Sequence, residues 1–274
     1  MTRRWIASSV AAAVALTAAV WVATNDTNAQ AADARNYVVL GDSYAAGVGA
    51  GNYRDTTCRQ SADGSYPHLW VQARTRAAFG PRITNRSCSG ATVQTVRDTQ
   101  LGALDASTGW VTVTVGGNDV GFAATLQQCL LGTDATCHTA VQRSVGVMQS
   151  TLPGALDSLF ATIRKKAPTA KVYVVGYPRL VAAASPSRSC GSLTDSRRAG
   201  LNSAADTLAE VTRQRTAGRP GFTFIDGRAI FAGREACTSS PWVHPLRTDA
   251  VVESFHPNRA GYQAYAARLH AVTG

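Results

Sequence analysis

No Cys-x-x-Cys pair occurs in the 274 residues, so the thiolate spacing typical of structural zinc is missing. The chain also lacks a GxxxxGK[ST] phosphate loop and a dinucleotide fingerprint, although Gly47, Gly49 and Gly51 cluster early. Those glycines are expected to form a mobile loop instead, and no cofactor is implied. No Pro/Ser linker, internal repeat or change of composition interrupts the chain, which argues against several domains. Acidic residues are scarce, with 17 Asp and Glu against 27 Lys and Arg, a formal charge of +10. Such a balance suits anionic surfaces or nucleic acid. Long cationic runs are nevertheless absent, the longest being Arg164-Lys165-Lys166, and scattered arginines read as a solvated surface. Nucleic-acid binding is therefore not expected.

What is present begins at the N-terminus. Arg3-Arg4 precede an uncharged, Ala- and Val-rich run from Trp5 to Val22, and Ala29-Gln30-Ala31 supplies a small-x-small cleavage site. This is the layout of a secretory signal peptide over residues 1–31. An uncleaved anchor is the competing reading, and the weak hydrophobicity and cleavage site weigh against it. Removing Arg3, Arg4 and Asp26 lowers the formal charge by one, from +10 to +9. Residues 32–274 suffice for one domain with a full core, expected to be extracellular and monomeric.

Export predicts oxidised cysteines. The six are Cys58, Cys88, Cys129, Cys137, Cys190 and Cys237, which permit fifteen connectivities. Pairing neighbours in order gives Cys58–Cys88, Cys129–Cys137 and Cys190–Cys237. A zinc site of Cys129, Cys137 and His138 is the rival.

Strand and helix patterns then alternate. Tyr37-Val38-Val39-Leu40 is an apolar, partly β-branched run suited to a strand buried on both faces. Gly41 permits a turn into Asp42-Ser43. Tyr66, Leu69, Trp70, Ala73 and Ala77 recur at helical spacing, with Pro67 in the first turn. Further strands are expected at Arg82–Asn85, Trp110–Val115, Lys171–Gly176 and Phe222–Asp226. Leu152, Leu156, Leu159, Phe160 and Ile163 form a helical stripe, as do Leu201, Ala204, Leu208 and Val211. A loop with Pro178, Pro186 and Cys190 separates them. The last helix is expected to start at Pro257 and to bury Tyr262, Tyr265, Ala266 and Leu269. Such alternation predicts an α/β fold with a mostly parallel five-stranded sheet covered on both faces.

Three strand ends and one late loop carry polar residues suited to acyl transfer. Ser43 lies where open α/β sheets bind ligands and is the candidate nucleophile. The bland alternative is a helix N-cap. His256 precedes Pro257, is held out of the helix by that proline, and titrates in the range of a general base. The Ser43 amide, the Gly90 amide and the Asn118 side chain are candidate oxyanion donors. His244, also before a proline, is the rival base, while His68, His138 and His270 read as surface or satisfied histidines. Asp42 is expected to brace the turn and Asp119 to cap the helix after Asn118. Phe122 and Trp242 are candidate apolar lining.

Gly41-Asp42-Ser43-Tyr44, Gly90, Gly116-Gly117-Asn118-Asp119 and His256 together resemble the four blocks of the SGNH (GDSL) hydrolase family. The resemblance spans about Tyr37 to Ala266. It implies a flavodoxin-like α/β/α sandwich and ester hydrolysis through an acyl-serine, without metal. Among such proteins this chain is most similar to secreted bacterial lipases and esterases with three disulfides, usually paired in order. Their lipid-like substrates (acylglycerols, phospholipids or fatty-acyl esters, met at a lipid interface) are the first expectation. A carbohydrate O-acetyl esterase and a non-catalytic lipid- or glycan-binding domain are the alternatives. Tyr44 stands where the family has Leu, read as a change of apolar bulk. Where the family often has Asp three residues before the histidine, this chain has Glu253. Either Glu253 or the Ser254 main-chain carbonyl is expected to orient His256.

Overall fold

A computed structural model describes residues 36–76, 82–185 and 189–274. The expected signal peptide, Ala77 and Pro186 lie outside them. Five parallel strands, β1 (Asn36–Gly41), β2 (Ile83–Asn85), β3 (Thr108–Thr114), β4 (Lys171–Val175) and β5 (Phe222–Ile225), form one sheet in the order β2-β1-β3-β4-β5. β1 pairs on one side with β2 (Val38 opposite Thr84) and on the other with β3 (Val38 opposite Val111). The chain thus moves outward from β1 in both directions, which opens a crevice at the carboxyl ends of β1 and β3.

The two sheet faces differ in chemistry because side chains alternate along each strand. One face carries Tyr37, Trp110 and Tyr173. Trp70 of the helix Tyr66–Arg76 packs edge-on against Tyr37 and Trp110, at 4.9 and 5.4 Å between ring centroids. Tyr66 meets Tyr265 of the last helix, Arg259–Thr273, at 5.7 Å. The opposite face is aliphatic, with Val38, Leu40, Val111, Val113, Val172 and Val174 all buried. The helices Leu152–Lys166 and Asp195–Thr216 pack on each other on that side, where Phe160 contacts Phe222. Each such fully buried side chain stabilises the fold by about 1.5–3 kcal/mol before ordering costs.

Several expectations need correction. Two helices, Phe122–Leu131 and Asp134–Ser150, stand where the sequence-based reading placed only a helix after Asn118, without bounds, and the second has no counterpart in it. The buried stripe of the second is Cys137, Ala140, Val141, Ser144 and Met148, too small and polar to stand out as an apolar period. Its Ser144 hydroxyl donates to the Val120 carbonyl and pairs with Thr125. The last helix starts at Arg259, two residues after Pro257, because the Asn258 side chain caps it by accepting the Gly261 amide. Gly47 and Gly49 do not lie in a free loop, since residues 43–50 are buried, whereas Gly51 is half-buried. A Cβ at Gly49 would lie 2.4 Å from the Pro257 carbonyl oxygen.

All six cysteines are bonded in neighbour order: Cys58–Cys88, Cys129–Cys137 and Cys190–Cys237. The zinc reading fails because Cys129 and Cys137 hold each other across the junction of the helices Phe122–Leu131 and Asp134–Ser150.

Candidate active site

Gly41 ends β1 at φ +124°, and a Cβ there would lie 2.1 Å from the Thr114 carbonyl oxygen, so only glycine fits. The buried Gln100 side chain clamps this turn from both sides. Its Oε1 accepts the Gly41 amide at 2.7 Å and its Nε2 donates to the Gly41 carbonyl at 2.9 Å. Asp42 then caps a single helical turn, Ser43–Ala46, by accepting the Tyr44 amide on Oδ1. Ser43 is therefore the first helical residue rather than the cap. Its amide takes no acceptor among the described residues and stays available.

The Asp42 carboxyl is buried, and that burial pushes its pKa up to about 7, against the lowering effect of the Tyr177 phenol and the Tyr44 amide. Tyr177 donates to Asp42 Oδ2 at 2.5 Å and accepts the Gly117 amide at 3.2 Å. It thereby ties the ends of β1 and β3 to the loop after β4. Sequence reasoning missed both Gln100 and Tyr177, because neither belongs to a motif and each acts across the sheet.

Gly90 sits in a turn at φ +82°, with open space where a Cβ would point. Two residues earlier the Cys58–Cys88 disulfide anchors the turn, and the Ser89 amide donates to the Cys58 carbonyl. Among the described residues the Gly90 amide has no acceptor either. Asn118 Nδ2 donates to the Ala91 carbonyl at 3.0 Å, which aims the side chain beside Gly90. Asp119 does not cap the helix after Asn118, whose N-terminal residue Gly121 carries no side-chain cap. Its carboxylate instead accepts the Val93 amide at 3.0 and 3.1 Å, stitching the two loops together.

His256 arrives on an antiparallel bridge between residues 243–244 and 256–257, with main-chain bonds joining His244 and His256. Its Nε2 lies 2.8 Å from Ser43 Oγ, and its Nδ1 lies 3.1 Å from the Ser254 carbonyl oxygen. A carbonyl only accepts, so Nδ1 carries the proton and Nε2 turns a lone pair toward the serine. Burial lowers the imidazole pKa to about 4, the Ser254 carbonyl opposing and His244 reinforcing the effect. The ring is thus neutral near pH 7. Phe255, between the two, adopts φ +60°, a left-handed conformation that costs a side-chain-bearing residue about 1–2 kcal/mol.

The structure therefore brings Ser43, His256, Gly90 and Asn118 together. It does not bring the Glu253 carboxylate to the imidazole. Glu253 Oε1 accepts the Tyr53 phenol at 2.6 Å and Oε2 accepts Arg247 at 2.7 Å. His244, the rival base, has its Nε2 2.9 Å from the Gly49 carbonyl and no contact with Ser43. His138 and His270 are exposed, and His68 is held between Arg54 and Ser65.

These groups border a cavity of about 580 Å³ whose walls are mostly carbon. Phe122, Leu126, Leu180 and Leu208 line it, with Ala205 among them. Trp242 does not. It packs edge-on against Phe231, 6.0 Å between ring centroids, under Arg234. Among the described residues the large exposed apolar side chains are Leu131, Leu246, Val251 and Val252, and all four line this one cavity. Leu131 is 78% exposed, far beyond what packing would leave for a core residue.

Comparison with known proteins finds relatives of the whole domain. The model of the GDSL-like Lipase/Acylhydrolase family matches residues 39–264. Lipase 1 of Streptomyces coelicolor is 40% identical over 219 residues, 79% of this chain and 78% of that protein. A lipase of Streptomyces rimosus is 38% identical over 233 residues, 84% of this chain and 83% of that one. Among solved structures, phospholipase A1 from Streptomyces albidoflavus NA297 superposes with a TM-score of 0.80 at 38% identity. The extracellular lipase of Streptomyces rimosus does so at 0.80 and 39%. Each superposition covers 87% of this chain and 99% of the other.

Proposed function

Because this chain belongs to the GDSL-like lipase/acylhydrolase family and is a carboxylic ester hydrolase, we propose that it cleaves lipid-like esters through an acyl-serine at Ser43. The 2.8 Å contact between Ser43 Oγ and His256 Nε2, at the edge of an apolar cavity, carries this reading. His256 takes the Ser43 proton as Oγ attacks the ester carbonyl carbon. The carbonyl oxygen becomes an oxyanion facing the Ser43 amide, the Gly90 amide and Asn118 Nδ2. One such donor is worth about 2.7–4 kcal/mol, roughly 10²–10³ in turnover. Collapse of this intermediate breaks the ester C–O bond, and His256 returns its proton to the departing alcohol. Water then attacks the acyl-serine with His256 again as base, which releases the acid and restores Ser43. In this scheme the Ser254 carbonyl orients the imidazole, and the Glu253 carboxylate is bonded to Tyr53 and Arg247 instead.

The cavity supports an apolar acyl group, since each buried methylene contributes about 0.8 kcal/mol. The exposed rim of Leu131, Leu246, Val251 and Val252 supports work at a lipid surface, where such esters collect. The names of the relatives, lipase and phospholipase A1, point the same way. Three disulfides and a leader-like N-terminus support action outside the cell. No feature of the cavity favours a carbohydrate O-acetyl ester or a purely binding role.

The test is a chain-length series of nitrophenyl esters and phospholipids run with wild type and Ser43→Ala, alongside fluorophosphonate labelling. Labelling at Ser43, loss of turnover in Ser43→Ala and preference for longer chains are expected. A strong preference for acetate would overturn the lipid reading, and absence of labelling would overturn the mechanism.

A further inference from the structure

We propose that the Tyr44 hydroxyl is a positioning group for His256, holding the peptide that precedes the histidine so that Nε2 faces Ser43. The sequence pattern suggested that Tyr44 merely replaces one apolar side chain by another. The structure assigns its oxygen a specific partner. Tyr44 Oη donates to the Phe255 carbonyl at 2.6 Å, in a buried setting, across 211 positions of sequence.

That carbonyl belongs to the peptide unit joining Phe255 to His256. The other end of the same unit, the His256 amide, donates to the Glu253 carbonyl at 3.1 Å. The plane is therefore pinned at nitrogen by the main chain and at oxygen by Tyr44. Rotation of this plane would swing the His256 Cβ and carry the imidazole off its line to Ser43. The neighbouring residue makes such rotation a real threat, because Phe255 occupies the left-handed region that a side chain disfavours. Relaxation of Phe255 would also break the Nδ1 contact to Ser254, two residues before His256.

The Tyr44 ring adds to this. It lies 5.2 Å from the imidazole, tilted by 42°, and 5.1 Å edge-on from Tyr177. Burial raises the phenol well above its usual 10, so it remains a donor. Leucine could fill the volume but supplies no hydrogen.

The inference rests on the Ser43–His256 reading, and the experiment separates the two. Wild-type protein is first labelled with a fluorophosphonate; absence of labelling at Ser43 sinks the mechanism itself. Tyr44→Phe, which removes one oxygen, is then compared with Tyr37→Phe. Tyr37 is an equally buried tyrosine whose hydroxyl pairs with Thr112, remote from the cavity. On a soluble nitrophenyl ester, Tyr44→Phe should lower kcat and the labelling rate by about tenfold with KM within about twofold. Its downfield His256 Nδ1 proton signal, assigned by its loss in His256→Ala, should shift or broaden. Tyr37→Phe should lose stability yet keep kcat and that signal. Tyr44→Leu carries the same expectation should Tyr44→Phe not fold. A Tyr44→Phe enzyme with kcat within twofold of wild type and an unmoved proton overturns the proposal. So does a Tyr37→Phe variant that loses turnover to the same extent at matched thermal stability.

Discussion

Glu253→Gln separates a dyad held by a main-chain carbonyl from a carboxylate triad. In a true triad, the corresponding carboxylate-to-amide change lowers turnover by about 10⁴, because the imidazole takes the wrong tautomer. Here Nδ1 faces the Ser254 carbonyl at 3.1 Å, and the Glu253 oxygens are taken by Tyr53 and Arg247. The amide oxygen of Gln can still accept one of those two donors, so one charge-assisted bond is lost. Arg247 is partly solvated, which holds the cost near 1 kcal/mol, or about 2–4 °C in Tm for a domain of this size. Glu253 is the last and smallest influence on His256, favouring its protonated form. Removing that charge moves the acid limb of the pH profile slightly downward and leaves the plateau within about threefold. The assay is steady-state turnover of a soluble ester between pH 3.5 and 9, with thermal melts alongside. A plateau lowered by about 10³ or more would refute the reasoning and restore Glu253 to the catalytic group.

Four further outcomes follow from the same geometry. Because burial lowers the His256 pKa to about 4, kcat/KM should hold through pH 6 and fall only as pH drops toward 4; a limb near 6.5 would contradict the buried, neutral ring. The same depressed value means that the unfolded chain binds the extra proton between about 6.5 and 4, so this residue's contribution to stability fades as pH falls through that window, measurable by melts against a His256→Ala control. Replacing Cys58 and Cys88 together by Ser frees the Gly90 turn. It should cost about 3–4 kcal/mol of stability for a 30-residue separation, and it should lower kcat more than it raises KM; unchanged kcat in the folded variant would mean that the loop bonds suffice. Ala205→Phe places a ring in the cavity wall and should shift preference to shorter acyl chains, by about fourfold for each methylene excluded, in a nitrophenyl ester series. An unaltered profile would mean that acyl chains do not enter there.

The sequence by itself determined the sheet, because continuous apolar β-branched runs such as Tyr37–Leu40 and Val172–Val175 have no other stable home. It also determined which residues are chemically able to form the site. Ser43, Gly90, Asn118 and His256 stand at strand ends and loops where bland packing does not call for them, and the even set of cysteines pointed to disulfides. Local signals failed where burial rests on small or polar groups, as in the helix Asp134–Ser150, whose Ser144 and Ala140 leave no apolar period to detect. They failed again where a side chain serves a distant backbone. Gln100 clamps Gly41, Asp119 holds Val93, Tyr177 bridges Asp42 to Gly117, and Tyr44 grips Phe255. Between Glu253 and the Ser254 carbonyl only the fold could distinguish, since the difference lies in which way a carboxylate turns once Tyr53 and Arg247 are nearby. Such partners are separated by tens to hundreds of residues in the chain. Short-range hydrogen bonds acquire them only after the sheet has closed the distance, and no propensity or spacing carries that information.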